Sequence, residues 1–297
     1  MSGRSRIGVS VLAGAAAAAL LSGCSTAATE PVPAPADVAA AFEHIHGLEV
    51  DPESGALLVA THGGIFQLTE AADGTELSGP LGGLDIDAMG FTLNNGVAYA
   101  SGHPGPGTPD TFGSPHLGLI RSPDLGRSWV NVSLTGTTDF HDLTISLGHH
   151  KRIYGLDSSS GTVRKTDDGQ TWTDGAALAA RDILAPDENP DLLYATTEEG
   201  LSVSTDGGES FILDRLAPLL YLIASGGDDW LVGIDVDGTL WYQPLEGGPW
   251  SQGGVTDGVP QAMTVDAANG RVIIADDRGI VATDDYGDTW EVLRPAE

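Results

Sequence analysis

Beyond residue 43 the chain is a succession of short apolar runs. One set reads LLVAT (57–61), VAYAS (97–101), RIYGL (152–156), LLYAT (192–196), WLVGI (230–234) and RVIIA (271–275). A second set follows as GIFQL, GLIRS, TVRKT, GLSVS, TLWYQ and GIVAT. β-Branched and aromatic residues dominate these runs, Gly, Asp or Asn bounds them, and a helical period is missing. Asn95-Gly96 and Asn269-Gly270 are hairpin dipeptides, because the primed turns need left-handed residues. The pattern predicts strands joined by tight turns throughout.

The runs repeat with punctuation. Four segments share one shape: Ser122-Pro123-Asp124-Leu125-Gly126-Arg127-Ser128-Trp129, Thr166-Asp167-Asp168-Gly169-Gln170-Thr171-Trp172, Ser204-Thr205-Asp206-Gly207-Gly208-Glu209-Ser210-Phe211 and Thr283-Asp284-Asp285-Tyr286-Gly287-Asp288-Thr289-Trp290. The second is one residue shorter when counted from Thr166; counting from Lys165 keeps Asp167 in register instead. A degraded fifth copy ends at Trp250, so the closing aromatics fall about forty residues apart, the length of a four-stranded blade. Six copies predict an all-β fold, a six-bladed β-propeller with four-stranded antiparallel blades over residues 44–297, with six blades favoured over seven. The repeated segment resembles the Asp-box (BNR) turn of sialidases and other β-propellers. That resemblance implies a role in folding: the Asp and hydroxyl side chains bond the turn backbone, and the closing Trp packs between blades. Asp235-Val236-Asp237-Gly238 lacks the further ligands of a calcium loop and reads as a hairpin turn.

The first 43 residues have another character. Arg4 and Arg6 precede an apolar, alanine-rich run from Ile7 to Leu21, short for a bilayer span but suited to a signal peptide. It ends in Leu21-Ser22-Gly23-Cys24, which resembles the lipobox of bacterial lipoproteins. The resemblance implies removal of residues 1–23, lipidation of Cys24, and a location on the extracytoplasmic face of the cell membrane, touched through the lipid alone. Residues 24–43, rich in Pro and Ala, are expected to be a flexible tether.

Charge and cysteine count narrow the partners. Against 42 acidic residues stand 13 basic ones, for a formal net charge of −29. Such a surface repels phosphate backbones, which argues against nucleic acid. The single cysteine, at position 24, leaves none for a disulfide framework or a thiolate metal site. A monomer that takes a small ligand, a metal or a glycan is the expectation.

The histidines are where chemistry gathers. Blade 1 opens with His44-Ile45-His46, which aligns with Asp85-Ile86-Asp87 in blade 2 and Asp139-Phe140-His141 in blade 3. Strand periodicity turns both members of each pair the same way. His62 and His103 end second strands on that same face, and His116 closes the insertion from Pro104 to Pro115 there. His149 and His150 fall on the opposite side. Convergence of His44, His46, His62, His103 and His141 near the channel mouth would give an imidazole site with carboxylates around it, which suits copper or zinc. The bland alternative is polar capping of strand ends and of a wet channel.

An enzyme reading stands beside it. The segments HIHGL, VATHGG, ASGHPGPG and DFHDL resemble bacterial propeller lipoproteins of glycosyl-hydrolase-like or sialidase-like type. This implies a glycoside hydrolase working with paired carboxyl groups, for which Asp85, Asp87 and Asp139 are the catalytic candidates, with Asp142 beside them. The arginine cluster of true sialidases is missing; Arg181 is the one arginine at a first-strand start, and Gln261 takes that position in blade 6. A propeller that serves only as a scaffold is the third reading, because a fold does not fix a function.

Overall fold

The computed structural model describes residues 44–71, 74–146, 151–186, 189–227 and 229–296. The expected signal segment, Cys24, the tether, His149 and His150 lie outside the described residues. The described residues form six four-stranded antiparallel sheets, each with its strands in sequential order, so the chain is a six-bladed propeller. Blades 1 to 6 span 45–78, 86–133, 140–177, 180–213, 220–255 and 262–295.

Burial follows strand position. The second strand of blade 1, Leu57–Thr61, is buried at every residue because neighbouring blades cover both of its faces. The outer strands Gly74–Ser78, Thr173–Ala177 and Ser251–Val255 alternate or lie open, as their Gly, Ser, Thr and Asp content requires. The core is divided among the blade interfaces. Leu58 and Ile65 of blade 1 pack with Ile86, Ala100 and Ile120 of blade 2. Ile45 and Val59 pack with Ile273 and Ile280 of blade 6, which closes the ring. Each fully buried Leu or Ile contributes about 1.5–3 kcal/mol relative to exposure. Two hydrogen bonds reinforce the closure: Ile45 N donates to Gln261 Oε1 (2.8 Å), and Thr75 Oγ1 donates to the Leu293 carbonyl (2.6 Å).

The four Asp-centred turns join third to fourth strands. In each, a Ser or Thr hydroxyl accepts from a glycine N–H (Gly126, Gly169, Gly208 or Gly287), while the Asp accepts from the backbone N–H and hydroxyl near the end of the turn. The shorter turn starts at Thr166 and uses Asp168. Asp167, the residue favoured by counting from Lys165, instead pairs with Arg152 at 2.6 Å. Trp172 shows how a blade joins its neighbour, with its ring 4.8 Å from Phe140 and Nε1 donating to Ser133 Oγ of blade 2 at 2.9 Å. Asp235 accepts from the N–H groups of Asp237 and Thr239 and from the Trp241 indole, the bonding of a hairpin turn.

First strands carry a recurrent irregularity. Register slips by one residue near the start in five blades, between Ile45 and Gly47, Ala88 and Gly90, Phe140 and Asp142, Ala180 and Asp182, and Leu220 and Leu222. The extra residue is His46, Met89, His141, Arg181 or Tyr221. Such bulges re-aim one side chain out of the ladder. The equivalence expected for blade 2 is therefore corrected by two residues. Gly90-Phe91 matches Gly47-Leu48, so Met89 stands where His46 and His141 stand, and Asp87 stands where His44 and Asp139 stand. Asp85 lies outside both rows.

The turns make the fold acid-sensitive. Backbone N–H groups of Thr171 and Gln170 hold Asp168 at about 2, and the Ser210 hydroxyl and N–H hold Asp206 below its ordinary value as well. A carboxylate with a depressed folded-state value contributes stability above its unfolded value near 4, and that contribution is lost as pH falls through the depressed value. Asp168→Asn and Asp206→Asn are expected to melt below the parent at neutral pH. The gap should close between about pH 4 and pH 2 in thermal denaturation followed by circular dichroism.

Candidate functional site

The first strands start, and the second strands end, on one face of the propeller, and the His/Asp residues of blades 1 to 3 meet there. His46 Nε2 and His62 Nδ1 are 3.2 Å apart; Asp87 Oδ1 lies 2.7 Å from His62 Nδ1 and 3.4 Å from His46 Nε2. Two ligand atoms on one tetrahedral ion with bonds of about 2.0–2.1 Å are separated by roughly 3.4 Å. The triangle thus has nearly the spacing of one face of a coordination shell. Protons can also hold it, with His62 Nδ1 and His46 Nε2 both donating to Asp87.

A second set lies beside the first. His103, His116 and Asp139 each offer a ligand atom within 4.8 Å of the others, as His46, His62 and Asp87 do. His103 Nε2 is 3.3 Å from Asp139 Oδ2, and the His103 and His116 rings are 5.5 Å apart. His116 Nδ1 and Asp139 Oδ1 are both buried without a hydrogen-bond partner. A buried polar atom left unpaired costs about 1–3 kcal/mol, so a partner for either atom is favoured. His103 also links the sets, with Nδ1 3.6 Å from Asp87 Oδ2 and Nε2 3.3 Å from Asp139 Oδ2.

Local sequence explains these placements. Gly102 has a φ of 138°, and a Cβ there would sit 2.0 Å from the Asp87 carbonyl, so only glycine lets the strand bring His103 opposite Asp87. His116 ends the insertion, which Phe112 anchors in the core. Backbone bonds from Leu117 N to Gly102 O and from Gly136 N to His116 O pin it between blades 2 and 3. Strand direction places His116 on this face, but its membership of the second set depends on the backbone bonding of its loop, which is not visible in the sequence.

The remaining candidates are set apart. His44 is exposed and touches the cluster only through the edge of His62, with ring centres 5.1 Å apart. His141 Nε2 sits 2.8 Å from Asp139 Oδ2 and orients that carboxylate together with Ser158. Asp85 braces the insertion, its carbonyl accepting from Gly105 N and Thr108 Oγ1. Arg181 crosses the mouth to Tyr221 Oη (3.0 Å) and the Gln261 carbonyl (3.4 Å).

The electrostatics distinguish two groups of carboxyls. Burial pushes Asp87 upward, but hydrogen bonds and attraction from His46 and His62 outweigh it and hold the carboxyl below its ordinary value. Asp139 is likewise lowered, with burial overcome by His141, Ser158 and His103. The hydrogen bond to Asp139 in turn raises His141 against the effect of burial. Deeper in the channel, burial and repulsion from Asp182 raise Asp142 well above the carboxylate range, and burial raises Asp182. Asp142 Oδ2 accepts from Ile183 N (2.6 Å) and Asp182 Oδ2 from Ile223 N (2.8 Å), each on the next blade.

No protein-family model and no curated protein matches the chain. Solved structures of similar fold include a GH74 enzyme of Niastella koreensis, with 14% identity and a TM-score of 0.59 over 84% of this chain and 45% of that one. An ancestral GH74 enzyme matches with 14% identity and a TM-score of 0.52 over 86% of this chain and 39% of that one. A chain of a nidogen/laminin complex matches with 17% identity and a TM-score of 0.57 over 77% and 89%. The chain spans less than half the length of either GH74 enzyme. At these identities the likeness is one of fold, a β-propeller; this chain's propeller carries two His/His/Asp sets with the geometry to chelate a metal.

The Asp142–Asp182 pair carries its own test. An acid whose folded-state value is raised lowers stability as pH climbs from its unfolded value, near 4, toward the raised one. Asp142→Asn keeps an acceptor for Ile183 N and cannot ionise. Its stability relative to the parent is expected to improve by about 1 kcal/mol or more between pH 4 and pH 8 in urea denaturation.

Proposed function

We propose that the channel mouth is a cation site that binds divalent zinc or copper through His46, His62 and Asp87 and through His103, His116 and Asp139. The observation that carries this reading is the second set, whose ligand atoms lie within 4.8 Å of one another and in which His116 Nδ1 and Asp139 Oδ1 are buried without a hydrogen-bond partner. Two imidazoles and one carboxylate suit borderline ions, and each set leaves positions for water or substrate. His141 and Ser158 orient Asp139 through Oδ2, which holds that ligand in place before any ion arrives.

The similar folds lean toward the other class, a glycoside hydrolase using Asp87 and Asp139, because two of them are GH74 enzymes. Against it stands the electrostatics: such a reaction needs one carboxyl raised enough to donate a proton, and both of these are lowered. The acids that are raised, Asp142 and Asp182, are occupied by backbone N–H groups of the next blade.

Metal content of the body from residue 41, purified without added metal and then titrated with zinc or copper in a calorimeter, tests the reading. Near-stoichiometric binding is expected, weakened more than about 100-fold in a His62→Ala/His116→Ala variant, since loss of even an outer partner costs about 10–100-fold. An absence of binding, together with aryl-glycoside turnover abolished by Asp87→Asn, would favour the hydrolase instead.

We further propose that Cys24 carries a lipid that holds the propeller at the outer face of the membrane, which the Leu21-Ser22-Gly23-Cys24 segment supports. Cys24→Ser is expected to move the protein from the membrane fraction to the soluble one. A variant that stays in the membrane fraction would contradict the anchor.

A further inference from the structure

The face opposite the histidines has a cavity of its own, about 770 Å³, between blades 5 and 6. Three aromatic rings form its wall. Trp230 and Tyr242 lie 5.6 Å apart at 41°, and Tyr242 and Tyr286 lie 4.9 Å apart at 84°, nearly edge to face. Asp229, Asp284 and Asp288 line the same cavity, and its lining includes no Lys or Arg. Tyr242 is buried with its hydroxyl unpartnered.

Tyr286 is the residue that folding does not explain. It occupies the left-handed position of its turn, with φ of 63°, where the turn at 204–211 has Gly207 at 74°. Glycine adopts that conformation without strain, whereas a bulky side chain does not. Leu125 takes the same position in the turn at 122–129 and packs against the core, but Tyr286 leaves 67% of its surface exposed. The turn is nonetheless fixed, since Gly254 N donates to the Tyr286 carbonyl at 2.8 Å. Gly253 leaves room for the Tyr242 ring, as a Cβ there would lie 2.7 Å from it. A ring is thus held out beside two others at some conformational cost.

We propose that this cavity binds an organic ammonium ion, a trimethylammonium or similar alkylammonium head group. Aromatic faces attract such cations through the ring quadrupole, and rings set at right angles make a corner around a compact cation rather than a flat platform for a sugar. The three carboxylates and the acidic chain add long-range attraction for a cation and repel anionic ligands. The cavity lies across the propeller from the His/Asp mouth, so this proposal stands independently of the metal reading.

The test is calorimetric titration of the metal-free body with choline and, in parallel, with its uncharged isostere 3,3-dimethylbutan-1-ol. Choline is expected to saturate at millimolar concentration or below, and the alcohol to bind about ten- to thirtyfold more weakly. Tyr286→Gly, which retains the left-handed turn, should weaken choline binding by a similar factor without lowering the melting temperature. Trimethyllysine in a peptide is a second arm: tighter binding than choline assigns the cation to a protein side chain, and equal binding assigns recognition to the head group itself. Equal affinity for choline and the alcohol, or no saturation by about 50 mM choline, would overturn the proposal. So would displacement of choline by a neutral oligosaccharide at lower concentration.

Discussion

Everything on the histidine face depends on one constraint, the unpaired inner edge of each first strand. That strand has a ladder partner on one side only, and on the other its N–H groups face a neighbouring blade and a narrow channel. Buried N–H groups need acceptors. Side chains of the preceding blade supply them: Glu49 for Leu93, Ser101 for Phe140, Asp142 for Ile183, Thr144 for Ala185 and Asp182 for Ile223. Gln261 does so for Ile45 across the closure. These bonds set the height and rotation of one blade against the next, and with them the level at which the strand starts meet.

The bulges then turn that alignment into chemistry. Because the register slips at the rim, His46, His141, Arg181 and Tyr221 leave the ladder at one level around the ring. Imidazoles and carboxylates fill blades 1 to 3, while Arg181 spans the rest of the mouth. The result is asymmetric. One side concentrates lowered carboxylates and buried acceptors that favour a cation, and the other holds a fixed positive charge bonded to Tyr221 and Gln261. A glycine at 102 and an anchored insertion add His103 and His116, the two members of the His/His/Asp sets that do not come from the strand starts or from the tight turn at His62.

The architecture was legible because its signals are local. Repeated apolar runs, hairpin dipeptides and Asp-centred turns each act within about ten residues, and six repeats reinforced one another. The shared face of the histidines followed from strand direction alone. The exact partners did not. A bulge is a one-residue shift with no strong composition signal, so alignment on apolar residues puts Asp85 and Asp87 in the wrong rows, although Gly90-Phe91 beneath Gly47-Leu48 carries the information. His116 depended on how a long insertion folds back, which is set by Phe112 and by backbone bonds to residues far along the chain. The Asp142–Asp182 pair was hidden for the same reason: adjacent blades bring together residues forty positions apart, and only geometry shows that two acids share one space.

The account stands or falls on whether the two His/His/Asp sets are cation sites. Anomalous diffraction from crystals soaked in zinc or copper, with data on both sides of the metal's absorption edge, tests this most directly. The account predicts a peak about 2.0–2.1 Å from ligand atoms of His46, His62 and Asp87, and another at the same distance from His103, His116 and Asp139. Peaks confined to surface carboxylates, or no peak at the channel mouth at saturating metal, would contradict it.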